Sequence, residues 1–434
     1  MAKRICMFLF NPFTNDARVL RECTALAEAG FEVDLYALQS HSNKNLPKRE
    51  QRKEGFQVIR VSDVLPEPLS SLFNIGQSIK GFVFKNSLMK ILSALPILVL
   101  LIINPILTIL FVIYLVCSSS HKIRLSLDRG YSILLLTLKG FSKKYDIYHA
   151  NDLNTLPQAV INAKLFRNKK LVYDSHEIQT SRTGYNSRFI GIIEKFLIKF
   201  IDVFIHENHT RAKYIQEQYG IYPEVLHNYP FIVEDSETVG INLHETLSLP
   251  KDEPILLYQG GMQPGRGLEQ IIEAVPLINK GTVVFIGDGK SKPKLIEMVK
   301  VKKLHDRVKF ISKVPVEDLL KYTRNGYLGF QVLNNTNFNH YSASSNKLFE
   351  YIMCGVPVIA CSFPEIKKIV EGENIGICVD SHISSSIADG VNQLVSNKEI
   401  RDKMSENCLN ARMKYNWEVE KRHLITLYKK LNIT

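Results

Sequence analysis

The chain has 434 residues, of which 45% are hydrophobic and 23% charged. This length fits two or three domains, and this composition excludes a chain that is mainly disordered. Lys and Arg outnumber Asp and Glu by 55 to 43, which gives a net charge of +12. The excess predicts an anionic partner without specifying it: nucleic acid, a phosphorylated small molecule or an acidic membrane surface.

The N-terminal apolar run and the cysteines indicate a reduced, cytoplasmic compartment. Ile5–Phe10 ends at Asn11 and Pro12, so the run is too short for a signal peptide and is expected to be a first β-strand. The seven cysteines are odd in number and form no Cys-x-x-Cys pair, which makes disulfides or a zinc site an unlikely basis for the fold. Asp-x-Asp is absent, which weakens any mechanism that needs a carboxylate-bound divalent ion.

Short apolar runs alternate with amphipathic stretches, which predicts parallel sheets covered by helices on both faces. In the first half the predicted elements are strand 5–10, helix 16–29, strand 32–38, strand 147–150, helix 154–166, strand 170–174, helix 187–200 and strand 203–206. In the second half they are strand 255–259, helix 268–275, strand 282–286, helix 292–302, strand 308–311, strand 328–333, helix 346–354, strand 358–360 and further helices.

The alternation lapses once, which divides the chain into two doubly wound domains. We predict a first domain over 1–230, a polar linker over 231–253, a second domain over 254–412 and a terminal helical segment over 413–434. In such folds ligands bind beyond the carboxyl ends of the strands, so the loops that follow strands are the candidate sites.

Three such loops in the second half carry glycines and charges. The first contains Gly260, Gly261 and Arg266, and the second contains Gly287, Asp288 and Gly289. Glycines let the backbone approach a phosphate, a helix start offers free N–H groups, and an arginine can donate to phosphate oxygens. A solvated arginine beside a glycine-rich turn is the structural alternative.

The third loop gives the most specific signal. Ser345 or Asn346 is expected to cap a helix whose first turn carries Lys347, with Glu350 one turn further on the same face. A diphosphate at the helix N-terminus and Lys347, with Glu350 accepting from sugar hydroxyls, fits this pattern. A capped helix with a surface ion pair fits it as well.

These motifs make the chain resemble glycosyltransferase family 4, whose members have the GT-B fold. The resemblance covers nearly the whole chain and leaves out only residues 60–140. It includes the opening 5–38 with Asn15 to Val19, the segments Tyr145 to Asp152 and Tyr173 to Glu177, the loops of the second half and the helix from Trp417 to Leu431. It implies a metal-independent, retaining transfer of a sugar from a nucleotide diphosphate, with no cofactor. Arg266 and Lys347 would hold the diphosphate, Glu350 the ribose, and Asp288 and Gly289 would line the nucleotide cleft.

Two positions depart from the family pattern. Ser342 stands where the first glutamate of the family's Glu-x7-Glu motif is expected, and Gly261 stands where an arginine is usual. Two alternatives therefore stay open: a nucleotide-sugar epimerase of the same fold, or a non-catalytic partner subunit. Dispersed basic residues without an aromatic-studded motif argue against nucleic acid as the partner.

Candidates on the acceptor side come from the first half. His176 or Glu177 could orient or deprotonate an acceptor hydroxyl, and the resemblance implies that His176 faces the donor sugar. Asp152 and Asp16 are further acceptor-side candidates, with helix or loop capping as the structural alternative. His206 and His209 have a metal-like spacing, but a strand-end and a helix-start histidine are the preferred interpretation.

Residues 91–120 contain no charged side chain. Flanking strands of one sheet exclude a single membrane crossing, and neither limb around Pro105 is long enough for two crossings. We predict an apolar insertion, over about 82–120, that dips into one leaflet with its bend at Asn104 and Pro105. A soluble core or an oligomer interface is the alternative. The basic stretch from Lys44 to Lys53 favours an anionic membrane surface.

Together these features predict a glycosyltransferase that is peripheral or monotopic at the cytoplasmic face of the inner or plasma membrane. It would transfer sugar from a nucleotide sugar to a lipid-linked or glycan acceptor during surface-polysaccharide synthesis.

Overall fold

The computed structural model describes residues 2–14, 16–40, 45–83, 85, 89, 99–118, 120–181, 188–233 and 240–431. Contacts divide the chain into two compact units. The first unit comprises residues 1–174 and 199–202, and the second comprises 175–198 and 203–434. Predicted positions 15, 44, 84, 86–88, 90–98, 119, 187, 234–239 and 432–434 lie outside the described residues.

The first sheet has eight strands in the order β3-β4-β2-β1-β5-β6-β7-β8. β1 pairs in parallel with β2 and β5. Among the described strand pairs of this sheet, only the short β3 is antiparallel to its neighbour, β4. Central strands are buried along almost their whole length, as expected for a sheet covered on both faces. The strands are β1 Arg4–Phe8, β2 Glu32–Gln39, β3 Arg49–Gln51, β4 Gln57–Ser62, β5 Ile147–Asn151, β6 Lys170–Ser175, β7 Val203–His206 and β8 Glu224–Val225.

The helices of this part of the chain are α1 Ala17–Glu28, α2 Glu67–Val83, α3 Pro105–Ser118, α4 His121–Gly140, α5 Leu156–Val160, α6 Arg188–Leu197 and α7 His209–Tyr219. The predicted helix 154–166 is broken into a 3-10 turn, α5 and a π-helical turn at Ile161–Leu165. Asn162 explains part of the break, because its buried Nδ2 donates to the carbonyls of Gln158 and Thr137.

The second sheet has six parallel strands in the order β11-β10-β9-β12-β13-β14. Separate apolar cores pack on its two faces, one containing Phe285 and the other Tyr351. Both faces are therefore covered, as the continuous apolar strands predict. The strands are β9 Ile255–Gln259, β10 Thr282–Ile286, β11 Val308–Ile311, β12 Leu328–Gln331, β13 Val358–Cys361 and β14 Gly376–Val379.

The helices of this region are α8 Leu243–Thr246, α9 Leu268–Ala274, α10 Lys292–Val301, α11 Leu319–Thr323, α12 Phe338–Tyr341, α13 Asn346–Met353, α14 Pro364–Gly372, α15 Ser384–Val395, α16 Lys398–Ala411 and α17 Trp417–Leu431. The predicted linker is therefore not wholly irregular, since Asn242 caps the short α8. The predicted alternation of strands and helices is otherwise confirmed in the second half.

The apolar segment after β4 is helical where it is described. α3 begins at Pro105, and Asn104 Oδ1 accepts from the Leu107 N–H, so a helix starts at the pair where the bend is predicted. Ile102, Ile103 and Ile106 are 77%, 73% and 70% exposed. In the described part of the chain no single helix has the length and apolar character of a membrane span, whereas α3 and α4, bent by 84°, meet that test as a pair.

Candidate functional site

The loops after β9 and β10 bring two glycines of the predicted site into direct contact. The Gly260 N–H donates to the Ile286 carbonyl at the end of β10. A Cβ on Gly287 would overlap the Gly260 carbonyl oxygen, and both residues have positive φ values, of 139° and 115°. Only glycine fits position 287 without displacing the neighbouring loop. At the ends of β9 and β10 the two loops thus contact each other through backbone atoms alone.

Arg266 lies at the far end of the first loop, beside the polar segment that follows β12. The preceding Gly265 accepts from the Asn334 N–H and approaches the ring of His340. Burial lowers the pKa of His340 from 6.5, and the positive charges of Arg266 and Lys347 lower it further. The charges of both predicted phosphate-binding residues thus act on the same imidazole.

Helix α13 begins as predicted, but Ser345 does not cap it with its side chain. Ser345 occupies the N-cap position, and its Oγ instead donates to Gln331 Oε1 at 3.1 Å. Ser345 is therefore the N-cap residue, one of the two predicted, although its hydroxyl makes no capping hydrogen bond. Asn346 is exposed, and its Oδ1 accepts from Asn228. The first-turn N–H groups of a helix without such a cap are suited to bind an anion.

Lys347, in this first turn, is buried rather than a surface lysine. Its Nζ lies 4.3 Å from the centre of the Tyr258 ring, and only 7% of the residue is exposed. Burial, and then the charge of Arg266, lower the pKa of Lys347 to about 7, although Glu350 opposes the shift. The structural alternative of a solvated ion pair does not describe this residue. An arriving anion would restore its charge.

Glu350 is oriented by a hydrogen-bonded chain that begins on α11. Thr323 Oγ1 donates to Gln259 Oε1 at 2.7 Å, and Gln259 Nε2 donates to Glu350 Oε2 at 2.6 Å. Gln259 and Thr323 are fully buried. The carboxylate is thus held by a rigid neutral group, which suits it to accept from hydroxyls of a ligand.

Among the described residues, several buried polar atoms of this region have no hydrogen-bond partner: Arg266 Nε, Gln331 Nε2, Asn334 Oδ1 and Ser344 Oγ. Leaving a buried polar atom unsatisfied costs about 1–3 kcal/mol, so such a concentration requires a reason. A ligand with many oxygens, which both accept and donate, would satisfy all four atoms.

Asp288 and Gly289 stand at the second loop as predicted. Asp288 Oδ1 lies 2.6 Å from Lys292 Nζ, and its Oδ2 accepts from the Lys313 N–H. The hydrogen bond from Lys292 is the main cause that lowers the pKa of Asp288. Asp288 therefore stabilises the loop beside the glycines.

His176 and Glu177 lie in the same unit as these loops, and Arg211 ties their segment to α12. Arg211 Nη1 donates to the His176 carbonyl at 2.6 Å, and Nη2 donates to the Asn339 carbonyl at 3.1 Å. The negative charge of Glu177 opposes the lowering of the His340 pKa, so this carboxylate acts on the same imidazole as Arg266 and Lys347.

Ser342, at the position of the expected glutamate, is fully buried and bonded within the protein. Its Oγ donates to the Phe338 carbonyl at 2.7 Å and accepts from Arg211 Nε at 3.2 Å. Ser342 therefore secures α12, and the nearby candidates for a ligand contact are His340, Asn334 and Ser344.

Asp16 and Asp152 belong to the first unit. Asp16 caps α1 through the Val19 N–H and accepts from Asn11, which is the structural alternative anticipated for it. Asp152 has a positive φ of 62°, and its N–H donates to the Asp174 carbonyl. Such strain in a residue other than glycine is frequent at functional sites.

One buried group among the described residues has the composition of a metal site: Glu22, His149 and Asp174, with ligand atoms within 4.8 Å of one another. Arg18, however, donates to both oxygens of Asp174 at 2.7 and 2.8 Å and lies 3.1 Å from Glu22. The guanidinium supplies the positive charge there. His206 and His209 are a strand-end and a helix-start residue, as expected.

Sequence reasoning missed Gln259, Gln331 and Arg211. The two glutamines end β9 and β12 after uninterrupted apolar residues. A polar residue that ends a buried parallel strand is the signal that could have identified them. No comparable signal marks Arg211, whose partners His176, Asn339 and Ser342 are distant in sequence.

Residues 241–410 match the family model described as glycosyl transferases group 1. The alpha-D-kanosaminyltransferase of Streptomyces kanamyceticus is 29% identical over 177 residues, which are 40% of this chain and 44% of that protein. The O-antigen biosynthesis glycosyltransferase WclY of Escherichia coli is 22% identical over 248 residues, which are 54% of this chain and 66% of WclY. The chain thus spans about half the length of the curated relatives it matches.

Solved structures show the fold. Sucrose-phosphate synthase from Thermosynechococcus elongatus has a TM-score of 0.72 at 16% identity, over 99% of both chains. Anabaena HepE in complex with UDP-glucose has a TM-score of 0.67 at 14% identity, over 98% of this chain and 99% of HepE. The chain therefore has an α/β, GT-B-like fold with two Rossmann-like sheets, and the fold prediction is confirmed at that level.

Proposed function

We propose that this protein is a glycosyltransferase that takes its sugar from a nucleotide-diphosphate donor. The observation that carries the proposal is the combination of buried Lys347, Arg266 and the N-terminus of α13 with unsatisfied polar atoms of Gln331 and Asn334. The match of residues 241–410 to the glycosyl transferases group 1 supports it. Neither the epimerase nor the partner-subunit alternative gains support from the relatives.

Lys347 and Arg266 would bind the diphosphate and stabilise the transition state. When the glycosidic C–O bond breaks, negative charge grows on the leaving phosphate oxygens. Two cations and helix N–H groups are preorganised to meet that charge, and such electrostatic stabilisation is usually the largest contribution to catalysis. Their position supports a mechanism without an obligatory metal ion.

The remaining groups would recognise the rest of the donor. The Glu350 carboxylate, fixed by Gln259, would accept from the ribose hydroxyls, and the missing Cβ of Gly260 leaves space beside Lys347 for the nucleotide. HepE, a structural neighbour, is described in complex with UDP-glucose. We therefore infer a uridine diphosphate sugar as the donor class to test first.

We propose that transfer retains the configuration at the sugar. The acceptor oxygen forms its bond to the anomeric carbon on the face that the diphosphate leaves, and the acceptor proton passes to a leaving phosphate oxygen. His176 and Glu177 would orient the sugar and the acceptor hydroxyl. Asp16 and Asp152 stay predictions for the acceptor side.

The acceptor we propose is a lipid-linked or other glycan at the cytoplasmic face of the membrane. Exposed isoleucines and leucines of α3 support membrane contact, because a monomeric soluble protein rarely exposes an apolar patch of this extent. The likeness to WclY, named for O-antigen biosynthesis, supports a role in surface-polysaccharide synthesis.

The test is a transfer assay with purified full-length protein, UDP-, GDP- and ADP-sugars, and polyprenyl-linked acceptors, with the anomeric product analysed by NMR. We expect turnover with one donor class, an unchanged anomeric configuration and activity in the presence of EDTA. Donor conversion without any acceptor would support an epimerase instead. Nucleotide binding without turnover under all acceptor conditions would support a partner subunit.

A further inference from the structure

Helix α6 exposes its apolar face and buries its acidic residue, the reverse of a normal surface helix. Phe189, Ile192, Ile193 and Phe196 are 74%, 63%, 49% and 57% exposed, and they recur at the spacing of one helical face. On the opposite side Glu194 is buried, and its Oε2 accepts from the Tyr219 hydroxyl at 2.8 Å.

The close approach of Gly191 to Thr180 shows which face of α6 meets the protein. A Cβ at Gly191 would lie 3.2 Å from Thr180 Cγ2, so this side of the helix is in contact already. Leu197 and Ile198 are also buried. The exposed face is thus a second surface of the helix, additional to its contact with the protein.

The exposed charges that accompany this face are positive. Lys195 and Lys199 are exposed, whereas the carboxylate of Glu194 points inward to Tyr219. Interfacial helices combine large apolar residues on one face with lysines that reach anionic headgroups. Protein interfaces, by contrast, are depleted in lysine. The charge therefore complements an anionic lipid surface.

We propose that α6 and the following turn, residues 189–200, lie in the interface of an anionic bilayer as a membrane contact of their own. The role of this contact rests on the proposed function, since α6 would hold the donor-binding unit at the surface where a lipid-linked acceptor resides. It is carried by α6 alone and does not depend on the apolar insertion around α3.

The experiment uses the full-length protein with vesicles of phosphatidylglycerol and phosphatidylcholine, and with phosphatidylcholine alone. Phe189→Trp should show a blue-shifted emission and quenching by brominated lipids on addition of the anionic vesicles. Val301→Trp, at an exposed position of α10, is the matched control and should show neither change. The buried Trp417 contributes the same background to both variants.

Cosedimentation measures the strength of the contact. The triple variant Phe189→Ser, Ile192→Ser and Phe196→Ser should lower anionic-vesicle binding at least tenfold, and Lys195→Glu with Lys199→Glu should lower it severalfold. Unchanged binding in the triple variant, or equal quenching at both tryptophans, would overturn the inference. So would concentration-dependent dimerisation that the triple variant abolishes in sedimentation velocity.

UDP-glucose binding, measured in solution for every variant, separates the two proposals. We expect it to be unchanged in the α6 variants. Donor binding without lipid contact would overturn this inference and leave the proposed function standing. Lipid contact without binding of any nucleotide sugar would leave α6 as a membrane helix and contradict the proposed function.

Discussion

The loops that follow β9, β10 and β12 differ in chemistry from the helices that follow β4. The loops bury polar atoms that have no hydrogen-bond partner in the described part of the chain, whereas α3 exposes large apolar side chains. Each arrangement costs free energy in an isolated soluble chain. The difference teaches that these regions are suited to different partners, one a polar small molecule and the other an apolar surface.

Removing the buried cation should have the largest effect. Lys347→Met keeps most of the side-chain volume but removes the charge, so kcat/KM for transfer should fall about 10²–10³-fold, as for other lost transition-state contacts. Lys280→Met, which removes a surface lysine paired with Asp252, is the matched control and should keep full activity. Full activity of Lys347→Met in steady-state kinetics would contradict the assignment.

The same variant should stabilise the folded protein. Folded Lys347 releases its proton near pH 7, whereas the unfolded chain holds it to about 10.5, so the unfolded state binds more protons between these values. The contribution of Lys347 therefore makes stability rise with pH across this window. At pH 7 we expect Lys347→Met to gain on the order of 2–4 kcal/mol, seen as a higher melting temperature.

The gain should shrink as the pH approaches 10. Differential scanning calorimetry of both proteins between pH 7 and 10 tests this convergence. A lower melting temperature for Lys347→Met at pH 7 would show that the lysine is not held in its buried, uncharged form.

Negative charges placed just before α3 and in its first turn should weaken the proposed contact with the membrane. Ile102→Asp with Ile106→Asp should weaken vesicle binding at least about tenfold, because each carboxylate opposes transfer of its residue into lipid. The variant should keep its affinity for UDP-glucose. Ile400→Asp, on α16, is the control for adding a charge at an exposed apolar position. Vesicle binding equal to that of the parent protein would favour a solvent-exposed or oligomeric role.

Replacing Ser342, which stands where the family motif has its first glutamate, should have the smallest effect. Ser342 Oγ bonds within the protein, so Ser342→Ala should cost about 1 kcal/mol of stability and change kcat by less than about threefold. Urea unfolding and initial rates measure the two effects. A loss of activity above tenfold at unchanged stability would show that Ser342 contacts substrate.

Much of the fold could be predicted from the sequence, because buried parallel strands such as β9 and β10 form uninterrupted apolar runs. Helices α2 and α4 were not predicted, since exposed leucines on both mix with polar residues and obscure the period. β14 was missed because it begins at Gly376 and its residues before Val379 are only partly buried, whereas the equally short β13 is a fully buried apolar run.

The candidate site was predictable where its residues lie within one loop. Arg266, Lys347 and Glu350 follow from glycines, strand ends and helix spacing. The burial of Lys347 against Tyr258, and the fixing of Glu350 by Gln259, depend on contacts between segments about 90 positions apart in sequence. The hydroxyl of the N-cap residue Ser345 makes no capping hydrogen bond, because it donates instead to Gln331 at the end of β12.

The central claim is that Lys347 stays largely uncharged until a diphosphate arrives. Calorimetric titration with UDP-glucose at pH 8, in buffers of different ionisation enthalpy, counts the protons taken up on binding. We predict an uptake close to one proton, retained in His340→Gln and absent in Lys347→Met. Binding of UDP-glucose without proton uptake, or equal uptake in Lys347→Met, would contradict the account.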